Sequence, residues 1–389
     1  MRSVGAILLG LCAAFACASV PLPNDALEAQ RVRQVVETMQ SAIDRQDPGA
    51  YMAMIDPSDP VLITEHRAWF ADLDVSPVDD LRVELDAQAQ VVLDDDGSVI
   101  APLVFSWQVP SEEKPRRYEM PARFAPIGST KGQWHFTGRA WEIALLDTPG
   151  VRIYCDEVHH DIAQLAMERV PAIRDAIAQD MGIDPNGGDL HEVVVKIYPK
   201  MRELQASIYP SYTAGISGWN EPGESIKILG RDEMGQDRLD PLLAHEIGHA
   251  VSFEYGPVIN AAPWWSLEGV AEVAAGLFRD SWERKNKRIV RLAETDNLRR
   301  WEQLGDFKGE AVSHGMHVYL QGWSMIDYID RTFGKDTRNA WFTRLGHGDT
   351  LDEASTTVMA IPFEQLSDQW RRSLLEQVSD DEDQGASGS

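Results

Sequence analysis

Residues 240–250 read Asp-Pro-Leu-Leu-Ala-His-Glu-Ile-Gly-His-Ala, and the larger, C-terminal part of the chain is organised around them. Asp240 and Pro241 suit a helix start, with Asp as N-cap and Pro at the first helical position. The helix is expected to run on through Ala250 and to stop at Gly256-Pro257. His245 and His249, four residues apart, share one face and can offer ring nitrogens to a single metal ion. Glu246 emerges beside them, placed to take a proton from a metal-activated water without being a required ligand.

Downstream, Trp264-Trp265-Ser266-Leu267-Glu268-Gly269-Val270-Ala271-Glu272 follows, with eighteen residues between His249 and Glu268. The HExxH helix with this Trp…Glu-Gly…Ala-Glu run resembles the gluzincin metallopeptidases, and most nearly the bacterial peptidase MA-like proteins. The resemblance spans about 151–375. It implies zinc as cofactor, held by His245, His249 and Glu268, with Glu246 as general base in peptide-bond hydrolysis. Glu272 lies one turn beyond Glu268 on the same face. The resemblance gives it the outer N–H of a ligand histidine, and the bland alternative is a solvated surface carboxylate.

Two further roles come from the same resemblance. The strand at Ser225, Ile226, Lys227, Ile228 and Leu229 would correspond to the edge strand that binds peptide by strand addition, and Ala214–Gly218 before it fits the same pattern. Gluzincins also place a Tyr or His beside the zinc to stabilise the oxyanion, and this chain offers His314, His317 and Tyr319. On a helix over about 315–332, His317 shares a face with Gln321, Ser324, Tyr328 and Arg331, which reads as solvated. Tyr319 shares its face with Gly322, Trp323 and Ile326, which reads as half buried and favours Tyr319 as the catalytic hydroxyl. A core Tyr with its hydroxyl satisfied by backbone is the alternative. No glycine-rich exopeptidase motif precedes the HExxH helix, so aminopeptidase specificity does not carry over.

Ahead of the motif, Val151–Tyr154 and Val193–Tyr198 read as strands and about 157–181 as a helix ending at Gly182, while 240–375 is mostly helical in pattern. Leu146-Asp147-Thr148-Pro149-Gly150 reads as a linker. Upstream, Leu27, Val32, Val35, Val36, Met39 and Ile43 fall at helical spacing. Two strictly alternating stretches follow, Val83 to Val91 and Val99 to Val109, joined by Asp94-Asp95-Asp96-Gly97-Ser98 as a long antiparallel hairpin. Further alternation at Tyr118–Phe124 and at Trp134, Phe136 suggests a curved meander. With Ala42–Tyr51 as its helix-to-loop segment, this layout resembles the SnoaL-like cone of the nuclear-transport-factor-2-like superfamily. His66 and His135 read as structural or exposed there. The expected fold class is therefore α+β: a cone at 25–147, then a gluzincin domain at 151–377 with a small mixed sheet, an active-site helix and a helical C-terminal part.

Residues 1–18 read as an export signal, because the apolar run Val4–Phe15 is twelve residues long where a bilayer needs ~20. Ala14-Phe15-Ala16-Cys17 resembles a lipobox, while Ala16-Cys17-Ala18 also suits ordinary signal peptidase, so lipidation at Cys17 and a free mature chain both stand. The chain is expected in the periplasm, on the outer membrane as a lipoprotein, or outside the cell. Cys155 is the one cysteine of the mature body and reads as a small buried strand residue.

A net charge of -26, from 62 acidic and 36 basic residues, argues against nucleic acid or an anionic membrane face as partner. Membrane contact is then expected only through an N-terminal lipid. Residues 378–389, with Asp380-Asp381-Glu382-Asp383, read as a solvated, disordered acidic tail. The leading expectation is a zinc metallopeptidase acting on peptides or proteins. A non-catalytic envelope protein with a structural zinc and a ligand-binding cone is the rival, disfavoured by Glu246 and the open fourth position. A zinc hydrolase of non-peptide substrates stands third.

Overall fold

Apolar residues at helical spacing build the first element that matters. In helix α1 (Leu27–Asp44), Val32, Val35, Val36, Met39 and Ile43 are buried and the polar residues between them face outward. The computed structural model describes residues 20–22, 27–86, 90–127, 133–185, 187, 190, 192–307 and 309–386. The leader expected at 1–18, with its Cys17, lies outside them. Among the described residues no helix is long and apolar enough to cross a membrane. The chain is mixed α+β and divides into two compact units, Met1–Ala140 and Trp141–Ser389.

In the first unit, β1 (Val20–Leu22) and α1 are followed by α2 (Pro48–Met52) and α3 (Pro60–Val75). Then come β2 (Asp79–Leu85), β3 (Val91–Leu93), β4 (Val99–Gln108), β5 (Arg116–Pro126) and β6 (Trp134–Arg139). These strands form a curled antiparallel sheet, with both β2 and β3 paired to β4. The hairpin is therefore interrupted: its first arm is two short strands whose registers on β4 differ (Leu85↔Leu103, but Val92↔Ile100). Ala87 and Ala89, expected in the arm, lie outside the described residues. The 94–98 turn closes as expected, with Asp94 N–H to Ser98 O at 2.8 Å. Alternation along β5 buries Tyr118, Met120, Ala122 and Phe124. α1 packs on β2, β4 and β6. An aromatic core forms under α2 and α3, where Tyr51 stacks on Trp69 and Trp69 meets Phe105 edge-on. His66 is structural here, hydrogen-bonded to the Tyr51 hydroxyl at 2.9 Å, and His135 is buried.

The second unit opens with β7 (Ile143–Leu145), β8 (Val151–Cys155) and α4 (His160–Met181). Leu146–Gly150 is not an interdomain linker, because Ile143 pairs with Cys155 and Leu145 with Ile153, which makes the segment a hairpin turn. After α4 come β9 (Val193–Tyr198), α5 (Met201–Ile208), β10 (Gly218–Trp219) and β11 (Ile226–Leu229). The sheet order is β10-β11-β9-β8-β7, with β8, β9 and β11 parallel and an antiparallel strand at each end. α4 is the crossover between the parallel strands β8 and β9, and it packs on β8. Cys155 is fully buried on β8, as its strand position suggests.

The remainder is helical: α6 (Gln236–Ser252), α7 (Trp264–Gly276), α8 (Trp282–Glu294), α9 (Gly315–Phe333), α10 (Lys335–Gly346), α11 (Leu351–Met359) and α12 (Phe363–Ala386). α12 carries helical backbone through 380–383, where an irregular tail is expected, because its packed residues Leu366, Trp370 and Leu374 nucleate it. α6 starts at Gln236, one turn before the expected N-cap. Asp240 is instead a buried interior residue whose carboxylate meets the Arg169 guanidinium of α4 at 2.8 Å. Pro241 forfeits one backbone hydrogen bond inside the helix, and burial of Leu239 and Leu243 on either side holds the turn together.

Two close crossings set the helix positions. A Cβ at Gly248 of α6 would lie 2.8 Å from the Ala274 Cβ of α7, and one at Gly269 of α7 would lie 2.6 Å from the Gly322 carbonyl carbon of α9. Gly269→Ala is therefore expected to destabilise the fold by ~1–3 kcal/mol, the cost of overpacking against backbone. Chemical denaturation at constant m-value measures it.

Candidate metal centre

α6 and α7 bring three donors to one point. His245 Nε2 lies 3.2 Å and His249 Nε2 3.5 Å from Glu268 Oε2, and suitable atoms of all three residues lie within 4.8 Å of one another. The two imidazoles sit edge to face, with centroids 5.0 Å apart. Their i, i+4 spacing sets that geometry, and Gly248, on the face turned to α7, lets the second helix approach.

The surroundings orient each donor. Glu272 Oε1 faces His245 Nδ1 at 3.2 Å, and its other oxygen meets Lys285 Nζ of α8 at 2.5 Å. Glu272 is thus paired on both oxygens rather than solvated. Trp264 Nε1 donates to Glu268 Oε1 at 2.7 Å, which turns Oε2 toward the histidines. That Oε2 is buried and makes no hydrogen bond of good geometry. A buried carboxylate oxygen aimed at two ring nitrogens is what a divalent cation with nitrogen and oxygen ligands requires, so these residues fit zinc.

Protonation follows from this packing. Burial alone would lower His245, but Glu268 and Glu272 on its two sides hold it well above the ordinary imidazole value. Burial pushes Glu268 up, yet His249 and His245 outweigh it and hold the carboxyl far below its usual range. Glu272 is likewise held down, to about 2, because His245 and Lys285 overcome its burial. Glu246 goes the other way: burial raises it more than the neighbouring histidines lower it. Its carboxylate packs on β10, where a Cβ at Gly218 would fall 2.3 Å from Oε1.

That contact corrects the assignment of the edge strand. β11 (Ile226–Leu229) lies inside the sheet, parallel to β9 on one side and antiparallel to β10 on the other. Ser225, Ile226, Lys227, Ile228 and Leu229 are all buried, and Lys227 is ion-paired with Glu224. The antiparallel strand at the end of the sheet beside Glu246 is β10, only two residues long and too short to show an alternating pattern in sequence.

Tyr319 reaches the site, its ring stacked on His245 at 5.9 Å and edge-on to Trp264 at 6.3 Å. Burial, then the charges of Glu268 and Glu246, raise its phenol well above the ordinary value. His317 does not reach the site, and its face is covered at His317, Gln321 and Ser324 while Arg331 is exposed. Its Nδ1 pairs with the buried Gln321 at 2.9 Å, Gln321 holds the backbone of Arg299, and Trp370 of α12 donates to Ser324. Chain segments from outside α9 cover this polar face, which helical periodicity cannot foresee. His314 pairs with Glu310 instead.

The sequence reading missed Tyr212, Trp264 and Lys285 as site residues. Tyr212 contacts Trp219 and Phe307. Its phenol is pushed up to about 12 by burial and by Glu268 and Glu246. No spacing signal links Tyr212 to the HExxH helix, whereas Trp264 stands four residues before Glu268, one turn away, and could have been flagged.

If the trio holds zinc, Glu272→Gln is expected to weaken that binding by ~10–100-fold while the protein stays folded, since it removes a carboxylate paired with His245. Competition with a chelator of known affinity measures the change.

No protein-family model and no curated protein sequence matches this chain.

Proposed function

We propose that this protein is a zinc-dependent metallopeptidase of the gluzincin type, with a SnoaL-like cone as its N-terminal unit. The observation carrying the reading is the convergence of His245, His249 and Glu268, with Glu246 buried beside them against β10. A zinc ion held by the three ligands supplies a Lewis acid that acidifies water and polarises a carbonyl. Glu246 takes the proton of the attacking water, whose oxygen bonds to the scissile carbonyl carbon. As the C–N bond breaks, Glu246 returns the proton to the leaving amine. Buried beside the three donors, its carboxylate is placed for both transfers.

Tyr319 and Tyr212 donate hydrogen bonds toward the developing oxyanion, and their raised phenol values keep both protonated as donors. An extended peptide binds antiparallel to Gly218–Trp219, adding a strand beside β10. The N-terminal leader directs export to the cell envelope.

Glu246→Gln is expected to keep stoichiometric zinc by elemental analysis and to lose ~10²–10⁴-fold in kcat on a peptide-library digest, because the amide keeps the shape and cannot act as base. Undiminished hydrolysis would remove Glu246 from the mechanism. In Tyr319→Phe, kcat should fall ~10²–10³-fold with KM and zinc content nearly unchanged. An unaltered kcat would leave Tyr319 as packing alone.

A further inference from the structure

The chain carries -26 overall, yet residues 279–300 hold eight Lys and Arg against four Asp and Glu. α8 sorts them by face. Ile289 and Ala293 are buried toward the body of the unit, while Arg284, Lys287, Arg288 and Arg291 are exposed at i, i+3, i+4 and i+7. This spacing lines the four cations along one outer stripe. Exposed Arg279 extends it at one end and exposed Arg299 at the other. The clustering is physical as well as sequential. Arg279 and Arg284 both act on the Lys285 ammonium, and Arg288 and Arg299 both act on His317. Of the carboxylates in the segment, Glu283 pairs with Lys287 and Asp296 with Arg371.

Apolar side chains border this stripe. Of ten large hydrophobic residues exposed among the described residues, four lie around α8: Leu277, Trp282, Val312 and Met316. Trp282 is 40% exposed but lies on the α9 side of α8, with its Nε1 donating to Asp327 at 3.2 Å and Arg331 over its ring at 5.0 Å, so it stands away from the stripe. Met316 meets the Arg288 guanidinium, and Val312 precedes it by one turn. An acidic polypeptide would satisfy the cations and leave these side chains in water. A bilayer with anionic headgroups takes both, cations at the phosphates and apolar groups at the acyl boundary.

We propose that the outer face of α8, with Leu277, Val312 and Met316 near it, docks this protein on an anionic phospholipid surface. The overall negative charge does not forbid it. At ~0.1 M salt charges are screened beyond ~10 Å, so a surface in contact with α8 feels mainly the local stripe. The inference is independent of the proposed hydrolysis and of any lipid on Cys17.

The test is flotation of the full chain with vesicles of phosphatidylcholine alone, and with an equal part of phosphatidylglycerol added. Binding is expected only to the second kind, and it should be lost between ~0.1 M and ~1 M salt, where the screening length falls to ~3 Å. Changing Arg284, Lys287, Arg288 and Arg291 together to Gln should weaken binding ~10³-fold, at about fivefold per charge, with the unfolding midpoint unchanged. Because this variant keeps the same N-terminus, insertion of the leader cannot imitate the loss. Leu277→Ser with Met316→Ser should weaken binding while leaving its salt dependence as it was. Equal flotation with phosphatidylcholine alone, no flotation with either kind, or a four-Gln variant that floats like the unaltered protein would overturn the proposal.

Discussion

The approach of α7 to α6 at Gly248 is the constraint on which the candidate metal centre depends. The two histidines project from one helix and the carboxylate from another, so their separation is set by the distance between helix axes. Gly248, facing Ala271 and Ala274, brings those axes close, and a side chain at 248 would reach Ala274 at 2.8 Å. The second crossing, Gly269 against Gly322, fixes the opposite side of α7 and carries Tyr319 on α9 toward His245. Small residues at both crossings let the helices approach closely enough for the three donor groups to lie within 4.8 Å of one another.

Concentrating carboxylates in a buried pocket is costly, and the neighbours of the site show how the cost is offset. Glu268 and Glu272 are held ionised by the histidines and Lys285, whereas Glu246 is pushed toward its neutral form by burial. The environments thus drive neighbouring acids apart, two toward the charged form and one toward the neutral form. Tyr212, Trp219, Phe307, Trp264 and Tyr319 form a chain of aromatic contacts beside the acids. A wall of this kind lowers the local dielectric and strengthens every electrostatic contact behind it.

Much of the first unit was legible because its elements repeat simple periods. α1 shows its buried stripe at helical spacing, and β5 buries the alternate residues that the pattern picks out. Several of the differences come from a partner that residue spacing does not reveal. Asp240 looks like an N-cap until Arg169 arrives from α4. His317 looks solvated until the chain at Arg299 and Trp370 of α12 covers its face. Ser225–Leu229 looks like an edge strand until two residues, Gly218 and Trp219, pair along its outer side. In the first unit the hairpin broke where the register slips, a feature that alternation alone does not encode.

The sequence by itself determined the items that depend on short-range geometry. His245 and His249 share a face because a helix repeats every 3.6 residues, and Glu268 and Glu272 do so for the same reason. The strands Val151–Cys155 and Val193–Tyr198 and the helix between them are likewise local patterns of burial. Tertiary structure alone decided which strand ends the sheet beside Glu246, that Lys285 holds Glu272, and that Tyr212 joins Tyr319 near the acids. Those choices depend on packing between separate elements, where contact distance and burial, not residue spacing, select the neighbour.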